Sequence, residues 1–155
     1  MAQPKSSARI AALRLLAQRR LTEAQLWARL ERRGYGLEEL EAAVASCKRD
    51  GFVDDAIFAQ LYVDGRSACL GDARLVADLV RRGIDRAAAA RSVECAGRSE
   101  DERLAAAIEK LFRTRSALSY PSAARALERL GFPAPSIYRR LRLRAQAEDS
   151  LQEPP

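Results

Sequence analysis

Histidine is absent from the chain, and cysteine occurs only three times, at Cys47, Cys69 and Cys95. Without histidine, serine and cysteine lack their usual general base. Three widely spaced cysteines with no C-x-x-C pair give neither a disulfide framework nor a zinc site. No run of about 18 apolar residues occurs, and MAQPKSSAR at the start has no signal-peptide core. These absences predict a reduced, cytoplasmic protein. No GxxxxGK[ST] phosphate loop is present, so no nucleotide or other cofactor is expected, nor a metal, nor catalysis. Aromatic residues make up only 6% of the chain, and proline is missing between Lys5 and Tyr120. Both favour closely packed helices over sheet.

What is present fits that reading. Of 155 residues, 48% are hydrophobic, with much alanine. The segment from Gly51 to Ile84 holds every signal needed to join one helical unit to the next. Gly51 suits a helix C-cap with Phe52 folding back onto it, and Asp54 or Asp55 opens the next helix. Phe58, Leu61 and Tyr62 give that helix its predicted buried stripe. Gly71 and Asp72 restart the chain, Leu75 and Leu79 form another stripe, and Arg81-Arg82-Gly83 closes it.

Upstream, a helix from about Ala8 is expected to bury Ile10, Leu13, Leu16 and Ala17. A second starts at Thr22 with Gln25 completing a capping box. A third, from Leu37 to about Lys48, is expected to bury Leu37, Leu40 and Val44. Downstream, Leu104, Ile108, Leu111 and Phe112 form a stripe, Ser119 or Ser122 caps the next helix, and Pro133 and Pro135 open the last. The turn glycines Gly34, Gly83 and Gly131 are separated by steps of 49 and 48 residues. Each follows a leucine four residues earlier and precedes an apolar residue (Tyr35, Ile84, Phe132). This period predicts an all-α fold: three tandem three-helix repeats with helix-turn-helix-like units, about nine helices, stacked in an elongated array. The expected divisions are a disordered N-terminus at 1–7, repeats at 8–50, 51–99 and 100–145, and a disordered acidic tail at 146–155.

Several of these residues stand at spacings that resemble the RecX family, regulators of the RecA recombinase. They are Asp54-Asp55, Phe58-Ala59, Tyr62, Arg66, Gly71, Leu79 and Arg82-Gly83-Ile84, with ALRLLAQRRLTEAQLWARLERRGY in the first repeat. The resemblance covers about Ile10 to Leu141. It implies a three-repeat, all-helical modulator that lodges along the groove of a RecA–DNA filament and restrains ATP hydrolysis, strand exchange and coprotease activity; a monomer is expected.

Charge sharpens the expectation. The chain is net +6 with a pI near 9.7, which suits an acidic partner. Residues 1–50 are net +4, 51–100 net −1 and 101–155 net +3, while Arg113 to Arg144 holds eight arginines against Glu128 alone. The candidate filament or DNA contacts are Arg66, Arg74, Arg81, Arg82, Arg113, Arg115, Arg125, Arg129, Arg139, Arg140, Arg142 and Arg144. Arg139, Arg140, Arg142 and Arg144 are too many for helix capping, whereas Arg81-Arg82 has a partner-free explanation in the helix dipole. The residues expected to shape turns and caps are Gly34, Gly51, Asp54, Asp55, Gly83 and Gly131. DNA is expected to bind weakly and without strong sequence preference. The competing readings are a helix-turn-helix DNA-binding regulator, opposed by Glu38, Glu39 and Glu41 on its candidate recognition helix, and a protein-only helical scaffold.

Overall fold

The structure, a computed structural model, describes residues 7–152, with side chains described through residue 150. Capping chemistry sets most of the helix starts. Ser7 accepts from the Ile10 amide and opens α1 (Ala8–Gln18). Thr22 and Gln25 form a reciprocal capping box at α2 (Glu23–Glu31), and the Gly36 amide donates to Glu39 as α3 (Leu37–Arg49) begins. Asp54 caps α4 (Asp55–Arg66), which runs into one 3-10 turn, Ser67–Cys69. Gly71 precedes α5 (Asp72–Arg81), and Asp85 caps α6 (Arg86–Glu94). Ser99 and Glu102 box the start of α7 (Glu100–Thr114). Then come α8 (Tyr120–Arg129), with Pro121 in its first turn, and α9 (Ala134–Gln152). Among the described residues there are nine α-helices and no strand.

The helices gather in threes, each triplet around its own core. Leu26, Leu30, Leu40, Val44 and Cys47 fill the first, Val63, Leu75, Leu79, Ile84 and Val93 the middle one. Leu104, Ile108, Leu127, Phe132, Ile137 and Leu141 fill the third. Each fully buried leucine or isoleucine contributes about 1.5–3 kcal/mol of transfer free energy.

Several facings differ from the periodicity-based expectation. In α1 the buried face is Ala8, Ala11, Ala12 and Leu15, while Leu13 and Leu16 are half-buried, Ala17 is exposed and Ile10 is 46% exposed. Close packing of α1 on α3 selects the small residues, one step round the helix. Leu37 and Leu61 are also exposed, at 63% and 49%. Leu37 is the first residue of α3, where the helix has not yet reached the core, and Leu61 lies beyond the Ala59/Val63 line that meets the middle core. The Phe52 amide does bond back to Cys47 O (2.9 Å), but its ring is exposed and Val53 is buried in its place. At the C-terminus, helix replaces the disorder expected from 146. Glu148 ties this extension down by pairing with Arg144 and accepting from the Tyr120 hydroxyl at 2.7 Å, and Ser150 Oγ bonds to Gln146 O. Ser7, expected to be disordered, caps α1. The remainder of the expected disordered ends, residues 1–6 and 153–155, lies outside the described residues.

The triplets meet through two joints of the same design. In the first, the N-cap of α2 meets the end of α5: Thr22 Oγ1 donates to Arg82 O (2.6 Å), and the Glu23 amide donates to Asp55 Oδ1 (2.8 Å). In the second, the N-cap of α5 meets the end of α8: the Gly71 amide donates to Leu130 O (2.9 Å), and the Asp72 amide donates to Glu100 Oε1 (2.8 Å). The helix-ending glycines sit inside these joints with φ of 86° at Gly83 and 90° at Gly131. A Cβ on Gly83 would stand 2.3 Å from Ala24 Cβ, and one on Gly131 would stand 2.5 Å from Arg74 Cβ. The other two turn glycines, Gly34 and Gly51, have φ of 79° and 78°.

Gly71 separates crowding from backbone strain. Its φ of −75° suits any residue, yet a Cβ there would stand 2.2 Å from Gly131 O. Gly71→Ala should therefore destabilise by about 1–3 kcal/mol, the usual cost of overpacking, read as a lower urea midpoint. An unchanged midpoint would show that the second joint yields without cost.

Candidate functional site

Helix α9 divides its arginines between two flanks. Ile137 and Leu141 face the core. One flank lies along α7, whose first turn is acidic (Glu100, Asp101, Glu102). There Arg140 makes a forked ion pair with Asp101, which Arg139 joins at 3.4 Å. Arg144 reaches Glu109 at 2.6 Å and Glu148 at 3.0 Å, and lies 4.6 Å over the Phe112 ring. The hydrogen bond from Arg140, with the charges of Arg140 and Arg139, holds Asp101 below the usual carboxylate range. Three of the four candidate arginines on α9 thus already hold carboxylates of their own chain.

The other flank lies along α8, whose single acid is Glu128. Here Arg142 makes no ion pair among the described residues. It lines a groove between α8 and α9 with Arg125, Tyr120 and the exposed Tyr138. Arg125 makes one weak contact, to Ser122 Oγ at 3.4 Å. A second groove, between the third triplet and the 3-10 turn of the middle one, is lined by Lys110, Arg115 and Arg129. Lys110 Nζ lies 3.8 Å from Cys69 Sγ. No carboxylate lines either groove. Arg113 is exposed nearby and likewise has no ion pair among the described residues.

The middle triplet engages Arg74, Arg81 and Arg82 internally. Asp78, buried on α5, accepts from the Tyr62 hydroxyl at 2.9 Å, from Arg74 Nε at 3.2 Å and from Arg81. Arg82 donates to Asp78 O (2.8 Å), and its guanidinium lies 4.4 Å from the Tyr62 ring centre; Arg66 lies 5.9 Å from the same ring. Arg74 also reaches Arg129 O at 3.4 Å across the second joint. Burial pushes the Asp78 carboxyl up, but the Tyr62 and Arg81 hydrogen bonds and the charges of Arg74 and Arg81 outweigh it, leaving Asp78 below its usual value.

Of the two cap candidates, Asp54 caps α4 by accepting from the Ile57 amide at 3.0 Å, whereas Asp55 binds the Glu23 amide across the first joint. Sequence reasoning missed Arg103. It is 1% exposed, donates to Leu70 O (2.7 Å) and Arg98 O (3.2 Å), and pairs with Asp72, so it anchors the middle triplet to the third. The signal was its place four residues before Ala107 on the buried line of α7. Asp78 was missed too, one residue from Leu79 in a stripe read for its apolar members only.

Fold and surface together define a tandem three-helix protein whose third triplet carries two cationic grooves that no carboxylate lines. No protein-family model matches the chain. Regulatory protein RecX of Thermobifida fusca is 36% identical over 151 residues, covering 91% of this chain and 80% of that protein. Regulatory protein RecX of Thermus thermophilus is 33% identical over 122 residues, 79% of this chain and 81% of the relative. The crystal structure of RecX from Lactobacillus salivarius superposes with a TM-score of 0.74 at 19% identity, over 88% of this chain and 95% of that one. The chain belongs to the RecX family of regulatory proteins.

The Asp78 network carries a pH signature. A carboxyl whose pKa is lowered by folding adds stability that is present above its unfolded value, near 3.9, and is lost as pH falls through the folded value. Asp78→Asn should cost about 1–3 kcal/mol at neutral pH, and this deficit should shrink as pH drops below about 4. Denaturation of both proteins across that range tests it; a deficit independent of pH would mean the carboxylate charge is not what stabilises.

Proposed function

We propose that the chain is a monomeric regulatory binding protein acting on the RecA–DNA filament. It limits ATP hydrolysis, strand exchange and coprotease activity without chemistry of its own. The observation that carries this reading is the carboxylate-free cationic flank of the third triplet, joined in series to two further triplets in a member of the RecX family. The triplets act as three repeats, 8–50, 51–99 and 100–145. Unpaired guanidinium groups neutralise phosphates at little desolvation cost and without base readout, so DNA binding is weak and sequence-tolerant. The middle triplet, net −1 over 51–100, offers Ile57 and Leu61 exposed four residues apart on α4, which supports protein contact there. On α3 the acids Glu38, Glu39 and Glu41 are exposed and oppose its use as a recognition helix. DNA contact falls to Arg115, Arg125, Arg129 and Arg142, with Lys110 and Arg113 beside them. Arg139, Arg140 and Arg144 hold the third triplet together.

Assays of RecA ATPase and strand exchange on single-stranded DNA test the reading; a protein that alters neither is not this regulator. Within it, replacing Arg115, Arg125, Arg129 and Arg142 by Ala should relieve inhibition and make the salt slope of log affinity for DNA shallower by about 3–4, roughly 0.9 per phosphate. The triple change of Arg139, Arg140 and Arg144 should lower thermal stability more than it changes the slope. Equal slopes for the parent and the quadruple variant would move the DNA contact elsewhere.

A further inference from the structure

We infer that the groove between α8 and α9 takes one unpaired nucleobase with its adjoining phosphates, so that this member of the family grips single-stranded nucleic acid through base stacking as well as charge. The inference rests on the proposed function and names the ligand of its cationic flank. The groove encloses about 450 Å3. Tyr138, 56% exposed, stands on one wall one helical turn before Arg142, and Tyr120 and Pro121 form the opposite side beside Arg125.

Three observations favour a base over other anionic ligands. First, Tyr138 is a large exposed aromatic in a chain of few, and it shares its groove with two arginines that make no ion pair among the described residues. Aromatic faces interleaved with cations form the usual platform for single strands. Second, the side facing Tyr138 is preorganised. Tyr120 is held by its hydroxyl on Glu148 and by a tilted contact with Phe112, ring centres 5.5 Å apart, and Phe112 is covered in turn by Arg144. Third, no carboxylate lines the groove; of the two acids that act on Tyr120, Glu148 takes its hydroxyl and pairs with Arg144, and Asp149 lies off the groove wall. A phosphate at Arg125 and Arg142 therefore meets no unpaired carboxylate on the groove wall. In a duplex the bases are stacked on one another and their faces are closed to the ring, so the same groove offers a duplex only its charges.

The test needs no RecA. Fluorescence anisotropy compares a labelled oligothymidylate, an abasic oligonucleotide of the same length and a duplex. The parent protein should prefer the oligothymidylate over the abasic strand by at least about five-fold, the lower end of what one stacked base contributes. Tyr138→Ala should abolish that preference, Tyr138→Phe should keep it, and Arg125→Gln with Arg142→Gln should weaken all three ligands. Tyr138 is exposed, so its loss spares the core, and an unchanged melting curve checks this. Equal affinity of the parent for oligothymidylate and abasic strand would overturn the inference, as would undiminished preference in Tyr138→Ala. So would a poly-glutamate peptide that displaces the oligothymidylate from the parent and from Tyr138→Ala equally well. RecA ATPase, run separately, decides the proposed function: no effect there would sink that function while leaving the DNA result standing.

Discussion

Two close backbone approaches hold the chain of triplets together. At each joint the turn after the second helix of one triplet presses on the first turn of the second helix in the triplet before it. The approach is so tight that Gly83 and Gly131 have no room for a side chain. A left-handed residue ends the helix, and the chain then turns back so that Ile84 or Phe132 enters the core. One conformational requirement thus serves as helix stop, core plug and docking surface. The amide groups at the start of α2 and α5 would otherwise need side-chain caps or water. The next triplet supplies those partners through Asp55 and Glu100, so docking also completes the helix start.

The joints are not identical in chemistry. At the first, a buried threonine hydroxyl bridges to Arg82 O. At the second, Gly71 lets the backbones touch directly, and the buried Arg103 satisfies Leu70 O, Arg98 O and Asp72 at once. A guanidinium taken wholly out of water is tolerable only with such partners, and removing one of them leaves a costly orphan. The orientation of the third triplet, and with it the direction in which its cationic flank points, therefore depends on a polar anchor rather than on apolar area alone.

Most of the architecture was legible in the sequence because it rests on local rules. The glycine steps of 49 and 48 residues mark the helix ends that become joints, and capping residues marked the starts at Thr22 and Asp54, whereas Ser119 holds the N-cap position of α8 without a side-chain cap bond and donates to Ser122 Oγ instead. Facing was less legible. Periodicity gives a stripe, but which edge of it is buried depends on the neighbouring helix, as the Ala11/Ala12/Leu15 face of α1 shows. Leu37, Leu61 and Phe52 were expected inside because they are apolar, yet each stands where no partner helix covers it. Arg103 was invisible for the opposite reason: in sequence a buried arginine looks like a surface one until its carbonyl partners from distant segments are known.

The same limit governs the candidate site. Charge density along the chain ranks Arg139 to Arg144 first, because four arginines fall there within six positions. A cation serves an external anion only if the fold has not already given it one. Helical geometry sorts Arg140, Arg142 and Arg144, since residues four apart share a flank while those two apart do not. Arg140 and Arg144 share the flank that meets the acids of α7. Arg142, between them in sequence, lines the groove to which α8 brings Arg125 and no carboxylate. The acidic first turn of α7 thus both stabilises its own helix and neutralises one side of α9. What remains cationic is the side that the acids cannot reach, and Tyr138 lies on that side.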